Sequence, residues 1–148
     1  MQNIDLKVLQ KKKFTINGDE NTILELNPSD MNVLVRLQEN YPHITDFIAE
    51  FKDIEIKEDN TEEDIAQAAE KLKFIDSKMR TTIDTIFDTN VCEVCCPTLS
   101  LFTLIGGKFA YEYIIDAISA LYEDELQKEF KKVEARIKKH TDKYTKEK

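Results

Sequence analysis

Apolar residues fall on alternate positions at the start of the chain. From residue 4 to residue 16 the even positions include Ile4, Leu6, Val8, Phe14 and Ile16, while most odd positions are polar. That period of two belongs to half-buried strands. The polar run Gln10 to Lys13 interrupts the pattern, so the firmer strand is Lys12 to Ile16. A second strand follows at Thr22 to Leu26, across a turn at Asn17-Gly18-Asp19-Glu20. Asn and Gly tolerate positive φ, and Asn17-Gly18 between two alternating runs is a hairpin signal.

The period then lengthens. Asn27-Pro28-Ser29-Asp30 reads as a helix start, with Asn as cap, Pro in the first turn and Asp at the positive end of the dipole. Met31, Leu34, Leu37 and Tyr41 step by three or four and predict an inward face. Pro42 breaks or kinks the element, and Ile44, Phe47, Ile48 and Phe51 resume the stripe. Residues 53–60 are acidic and short of large side chains apart from Ile54 and Ile56, and read as a linker.

Thr61-Glu62-Glu63-Asp64 opens a second helix with a capping residue and acidic first turn. Ile65, Ala69, Leu72, Ile75, Met79, Ile83, Ile86 and Phe87 then give one apolar face. Residues 90–96 predict a short helical turn ended by Pro97, residues 98–105 a buried loop or short strand, and Gly106-Gly107 a turn. From Lys108 a last helix carries a broad face of Phe109, Tyr113, Ala117 and Leu121 with Ile114, Ile118 and Tyr122.

Beyond Tyr122 the face narrows. Leu126, Phe130, Val133 and Ile137 recur at intervals of four, three and four, and nearly everything between them is charged or Gln. Such a stripe is the seam of a two-helix contact. Packing on the 62–88 helix, self-association and capture of an amphipathic partner would each cover it. These four residues are the candidate partner-binding site.

Composition sharpens this picture. A chain of 148 residues suits one core, and 41% apolar residues can build it without disulfides or a structural metal. The expected layout is a globular unit over residues 1–122, with a hairpin at about 12–26 and helices at about 28–54, 62–88 and 108–122, and a charged helical extension over 123–148. The fold class is α+β, mostly α. A formal charge of −8 disfavours nucleic-acid binding. The charge is uneven, because residues 123–148 hold nine basic and seven acidic side chains while 1–122 hold 12 and 22. No run approaches the roughly 18 apolar residues of a membrane span, and Met1 to Asp5 shows no apolar signal core.

Candidate chemistry is sparse. Cys92, Cys95 and Cys96 are the only cysteines, and the two-residue gap between Cys92 and Cys95 is that of zinc ribbons and redox pairs. A structural zinc needs four ligands, and His43 and His140 lie far off in sequence, so reduced thiols packed as small apolar residues are the plainer reading. Gly106-Gly107-Lys108 before a helix offers free amides to an anion, yet reads more simply as a turn. The Lys11-Lys12-Lys13 run fits a protected strand edge. No catalytic residue, metal site or cofactor is predicted.

Four segments carry a resemblance of pattern: Phe14-Thr15-Ile16-Asn17-Gly18, Ile83-Asp84-Thr85-Ile86-Phe87-Asp88, Asn90-Val91-Cys92-Glu93-Val94-Cys95 and Gly106-Gly107-Lys108-Phe109. In their order the chain resembles a family of small acidic tail-morphogenesis proteins of phages and prophages of Gram-positive bacteria, over about residues 12–122. Family members often have Phe-Gly at Phe87-Asp88 and a shorter tail. The resemblance implies a non-enzymatic, chaperone-like protein that binds the helical tape-measure protein or tail subunits. The stripe at Leu126 to Ile137 adds the expectation of self-association, and the missing signal core and membrane span that of the host cytoplasm. The competing expectation is an acidic phage-encoded inhibitor of a host defence protein, acting by protein contact or nucleic-acid mimicry.

Overall fold

The computed structural model describes residues 1–54 and 58–146, with side chains as far as residue 143. The molecule is α+β and mostly helical. A hairpin of β1 (Lys12–Ile16) and β2 (Asp19–Leu26) precedes α1 (Asn32–Lys52), α2 (Glu62–Phe87) and the short α3 (Val91–Cys95). A minimal hairpin of β3 (Leu104–Ile105) and β4 (Lys108–Phe109) then leads into α4 (Ala110–Lys146).

The first hairpin turns at Asn17 and Gly18, both at positive φ, which is the twist a two-residue hairpin needs. The antiparallel ladder slips between Thr15 and Ile16 because Asp19 folds a local turn, accepting hydrogen bonds from the Asn21 amide (3.0 Å) and the Thr22 hydroxyl (2.7 Å). Those two bonds, the hydroxyl first, hold the Asp19 carboxyl below its usual range. Leu24 and Leu26 are buried, and Phe14 and Ile16 pack half-buried beside them. The alternation of Ile4, Leu6 and Val8 makes no strand: Lys7–Leu9 is a single 3-10 turn and all three side chains are exposed. The ladder runs out at the pair Lys12 and Leu26, where β2 gives way to Pro28, so residues before Lys12 have no edge to join.

The start of α1 lies later than the sequence implies. Residues 27–30 form a turn closed by the Asp30 amide on the Asn27 carbonyl (3.1 Å), and the Asp30 carboxylate takes the Asn32 amide (3.0 Å). The helix runs unbroken through Pro42. Pro42 and Gln38 are both exposed, so water can satisfy the carbonyl that proline leaves unbonded. The larger correction concerns its face. Val33 and Ile44 are the buried residues of α1, whereas Met31, Leu34, Leu37 and Tyr41 are exposed. Two apolar stripes compete on this helix, and the core takes the one continued by Ile44, Phe47, Ile48 and Phe51.

The linker read at residues 53–60 falls partly on residues 55–57, which lie outside the described residues, as do residues 147 and 148 of the tail. At the start of α2 the Thr61 hydroxyl accepts from the Asp64 amide and the Asp64 carboxylate from the Thr61 amide, both at 3.1 Å. This reciprocal pair is a capping box with Asp in place of Glu. The stripe of α2 is buried from Ile75 onward, while Ile65 and Ala69 stay exposed on its first turns. The helix stops at Asp88 in the left-handed region, with the Thr89 amide reaching back to the Asp84 carbonyl (3.2 Å).

Leu101 and Phe102 enter the core, where Phe51, Phe102, Phe109 and Tyr111 make a ring cluster with centroids 5.0–5.9 Å apart. Gly106 and Gly107, at φ +60° and +81°, form the second hairpin turn. Lys108 and Phe109 therefore belong to a strand, and the helix expected from Lys108 begins at Ala110. It continues without a break for 37 residues, about 55 Å, so core helix and tail are one rod.

Candidate partner-binding surface

Where α4 leaves the core it borders an apolar groove of about 310 Å³. Val33, Leu34 and Leu37 of α1 form one wall, Ile86 and Phe87 close the end, and Ile115, Tyr122 and Leu126 of α4 form the other wall. Tyr122 is anchored with its ring 5.8 Å from Phe87, and burial pushes its phenol above the ordinary value. Ser119 and Glu123 are the polar members of the lining. The wall built by α1 is held in place by Arg36, which donates to the Ile86 carbonyl (2.8 Å) and to the Asp30 carboxylate (3.0 Å). Burial pushes the Asp30 carboxyl up, but the Asn32 amide and the Arg36 guanidinium outweigh it and hold the group below the usual range.

The predicted contact residues continue this groove. Leu126 lines it, whereas Phe130, Val133 and Ile137 are 53%, 39% and 55% exposed on the projecting part of the helix. Exposure of that degree rules out coverage by α2. In α4 the residues Ile115, Ser119, Tyr122, Leu126, Phe130, Val133 and Ile137 follow one another at 4, 3, 4, 4, 3 and 4 residues. Two successive eleven-residue steps drift by only about 40° around a helix, so groove wall and exposed stripe are one face of one rod. Spacing alone points Leu34 and Leu37 inward, yet both line this groove. Their place in its wall is not legible in the sequence because a stripe that faces a groove and one that faces a core share the same period.

The three cysteines lie elsewhere, at the seam of α2 and α3. Cys92 and Cys96 are buried and Cys95 is half-buried, all as free thiols. Burial and then the Asp84 carboxylate push the Cys92 thiol far up; burial and then its neighbour Cys96 push Cys95 up. A thiolate is disfavoured at both positions, the opposite of what nucleophilic or redox chemistry requires. Among the described residues no three His, Cys, Asp or Glu side chains gather as metal ligands. What organises the seam is Arg80, which no sequence motif announced. It donates to the carbonyls of Cys96 (2.8 Å) and Leu99 (2.7 Å), and pairs with Asp76 (2.8 Å). Asp76 in turn accepts the Leu101 amide (2.7 Å) and the Asp84 carboxylate the Cys92 amide (3.0 Å), so α2 pins residues 92–101.

The amides after Gly106-Gly107 serve the chain itself. The Phe109 amide donates to Glu112 (2.7 Å), and Lys108 pairs with Asp116 (2.6 Å), leaving carboxylates where an external anion would sit. His43 is exposed on α1. No described helix is long and apolar enough to cross a membrane. Compared with protein-family models, curated proteins and solved structures, the chain matches none.

Proposed function

We propose that this protein is a non-enzymatic, chaperone-like component of phage or prophage tail assembly, working in the host cytoplasm by holding an amphipathic helix of the tape-measure protein or of tail subunits. The observation that carries the reading is the apolar groove between α1 and α4, continued along α4 by Phe130, Val133 and Ile137. A helix laid along this track would cover Leu34, Leu37 and the three exposed residues of α4, each contributing roughly 1–2 kcal/mol as it leaves water. The phage setting rests on the resemblance of sequence pattern, and the mode of binding rests on the groove.

The test is equilibrium binding of the full chain to synthetic amphipathic helical segments of a phage tape-measure protein. Replacing Leu34 and Leu37 together by Asp should weaken binding at least about 30-fold, the loss expected from two apolar anchors, with helicity unchanged because both side chains are exposed. Unaltered affinity in that variant rejects the groove. The inhibitor reading draws on the acidic first half of α4, where residues 110–127 hold five carboxylates and no Lys or Arg. Affinity that collapses as salt rises would favour it, since apolar contacts survive salt.

A further inference from the structure

The stripe on α4 has a symmetry that a client helix does not explain. Its intervals read 4, 3, 4, then 4, 3, 4, so they are the same in both directions from Leu126. Ile115 lies eleven residues before Leu126 and Ile137 eleven after; Ser119 and Val133 lie seven away, Tyr122 and Phe130 four. The earlier half lines the groove, and Phe130, Val133 and Ile137 of the later half stand in solvent.

Charge has the complementary arrangement. Residues 110–127 carry five acidic side chains and no Lys or Arg, whereas 128–143 carry seven Lys or Arg and three acidic residues. Two such rods side by side in parallel would set acid against acid and base against base. Antiparallel, each acidic half meets a basic half, and the palindromic stripe meets itself.

We infer that the free protein is an isologous dimer in which the α4 helices of two copies pair antiparallel about Leu126, the projecting half of each lying in the groove of the other. Ile115 then faces the other copy's residue 137, Ser119 faces 133, Tyr122 faces 130, and Leu126 meets its equivalent. Small Ser119 leaves room for a β-branched neighbour, and Tyr122 with Phe130 sets ring beside ring. The same pairing covers Phe130, Val133 and Ile137, which a lone chain leaves in solvent, together with Leu34 and Leu37 on the groove wall. The inference rests on the groove as a helix receptor, but not on any client or on the phage setting; a client would compete with the second copy for the same wall.

Light scattering of the full chain at micromolar concentration should give twice 17.2 kDa, and Phe130→Asp with Val133→Asp should raise the dissociation constant at least about 30-fold. Orientation is read by short bismaleimide cross-linking of two single variants, Ser119→Cys and Val133→Cys, both at exposed positions. The native chain, with its three buried or half-buried thiols, gives the background. The expected result is a linked pair from the mixture and none from either variant alone. A monomer at these concentrations overturns the inference, whether or not it binds a client helix. A dimer whose Ser119→Cys variant links to itself overturns it in favour of parallel pairing, and a dimer linked in no combination overturns this interface. Client binding with a monomeric chain would sink the dimer alone; a dimer that binds no client would sink only the proposed function.

Discussion

Arg80 shows how a single side chain can do what secondary structure cannot. The loop after α3 is too short and irregular to satisfy its own carbonyls, and a guanidinium with several donors in one plane reaches those of Cys96 and Leu99 while keeping Asp76. Arg80→Met keeps much of the apolar stem and removes every donor. It should cost about 2–3 kcal/mol in urea denaturation, with hydrogen exchange speeding up first in residues 92–101, because partly buried carbonyls and the Asp76 carboxylate lose their partner. The thiols make a second prediction. Cys92 and Cys95 are raised above an unfolded value of 9.0, chiefly by burial, so the fold favours their neutral forms. That contribution to stability is whole below pH 9.0 and is lost as pH rises from there toward the folded values. Alkylation at pH 8 should accordingly be slow in the native chain and fast after unfolding, and stability should fall on the alkaline side. Rapid native labelling of Cys92 would contradict the burial argument.

At the scale of elements, caps and turns were readable because each depends on a few neighbouring residues. Asn17-Gly18, the Thr61 to Asp64 box and Gly106-Gly107 each behave as local chemistry demands. Faces and junctions were less readable. The spacing of Met31, Leu34, Leu37 and Tyr41 is as regular as that of a core stripe, yet the core takes Val33 and Ile44, since which side of α1 is covered depends on where the hairpin and α2 lie. The start of α4 shifted for a similar reason: two residues beyond the glycine turn pair with Leu104 and Ile105 before helix can form. The end of α2 offers a clean test. Asp88 sits at φ 54°, which glycine adopts without a Cβ penalty, and its ion pair with Lys11 is exposed at 3.8 Å and worth little. Asp88→Gly should raise stability by about 0.5–1 kcal/mol in thermal or urea unfolding. A loss instead would mean that the Asp88 carboxylate has a further structural use.

Over the whole molecule the sequence reveals more about the projecting helix than about the surface it borders. Leu126, Phe130, Val133 and Ile137 were identifiable because a narrow apolar stripe among charges has few structural uses on an extended helix. The groove was not, because its walls come from α1, α2 and α4, and no local pattern records that Leu37 and Ile115 line one hollow. Joining the two turns a tail with a sticky face into one track that begins at the core and ends near Ile137. The uneven charge along α4 adds direction to that track, favouring an approaching helix whose basic half meets residues 110–127.

The central claim is that this protein acts through that apolar track. Its most direct test is titration calorimetry of the full chain with an amphipathic tape-measure segment, at low and at molar salt. The account predicts binding with a negative heat-capacity change that persists in high salt and is lost when Leu34 and Leu37 become Asp. Binding that is unaffected by those substitutions, or that vanishes with salt alone, would contradict it.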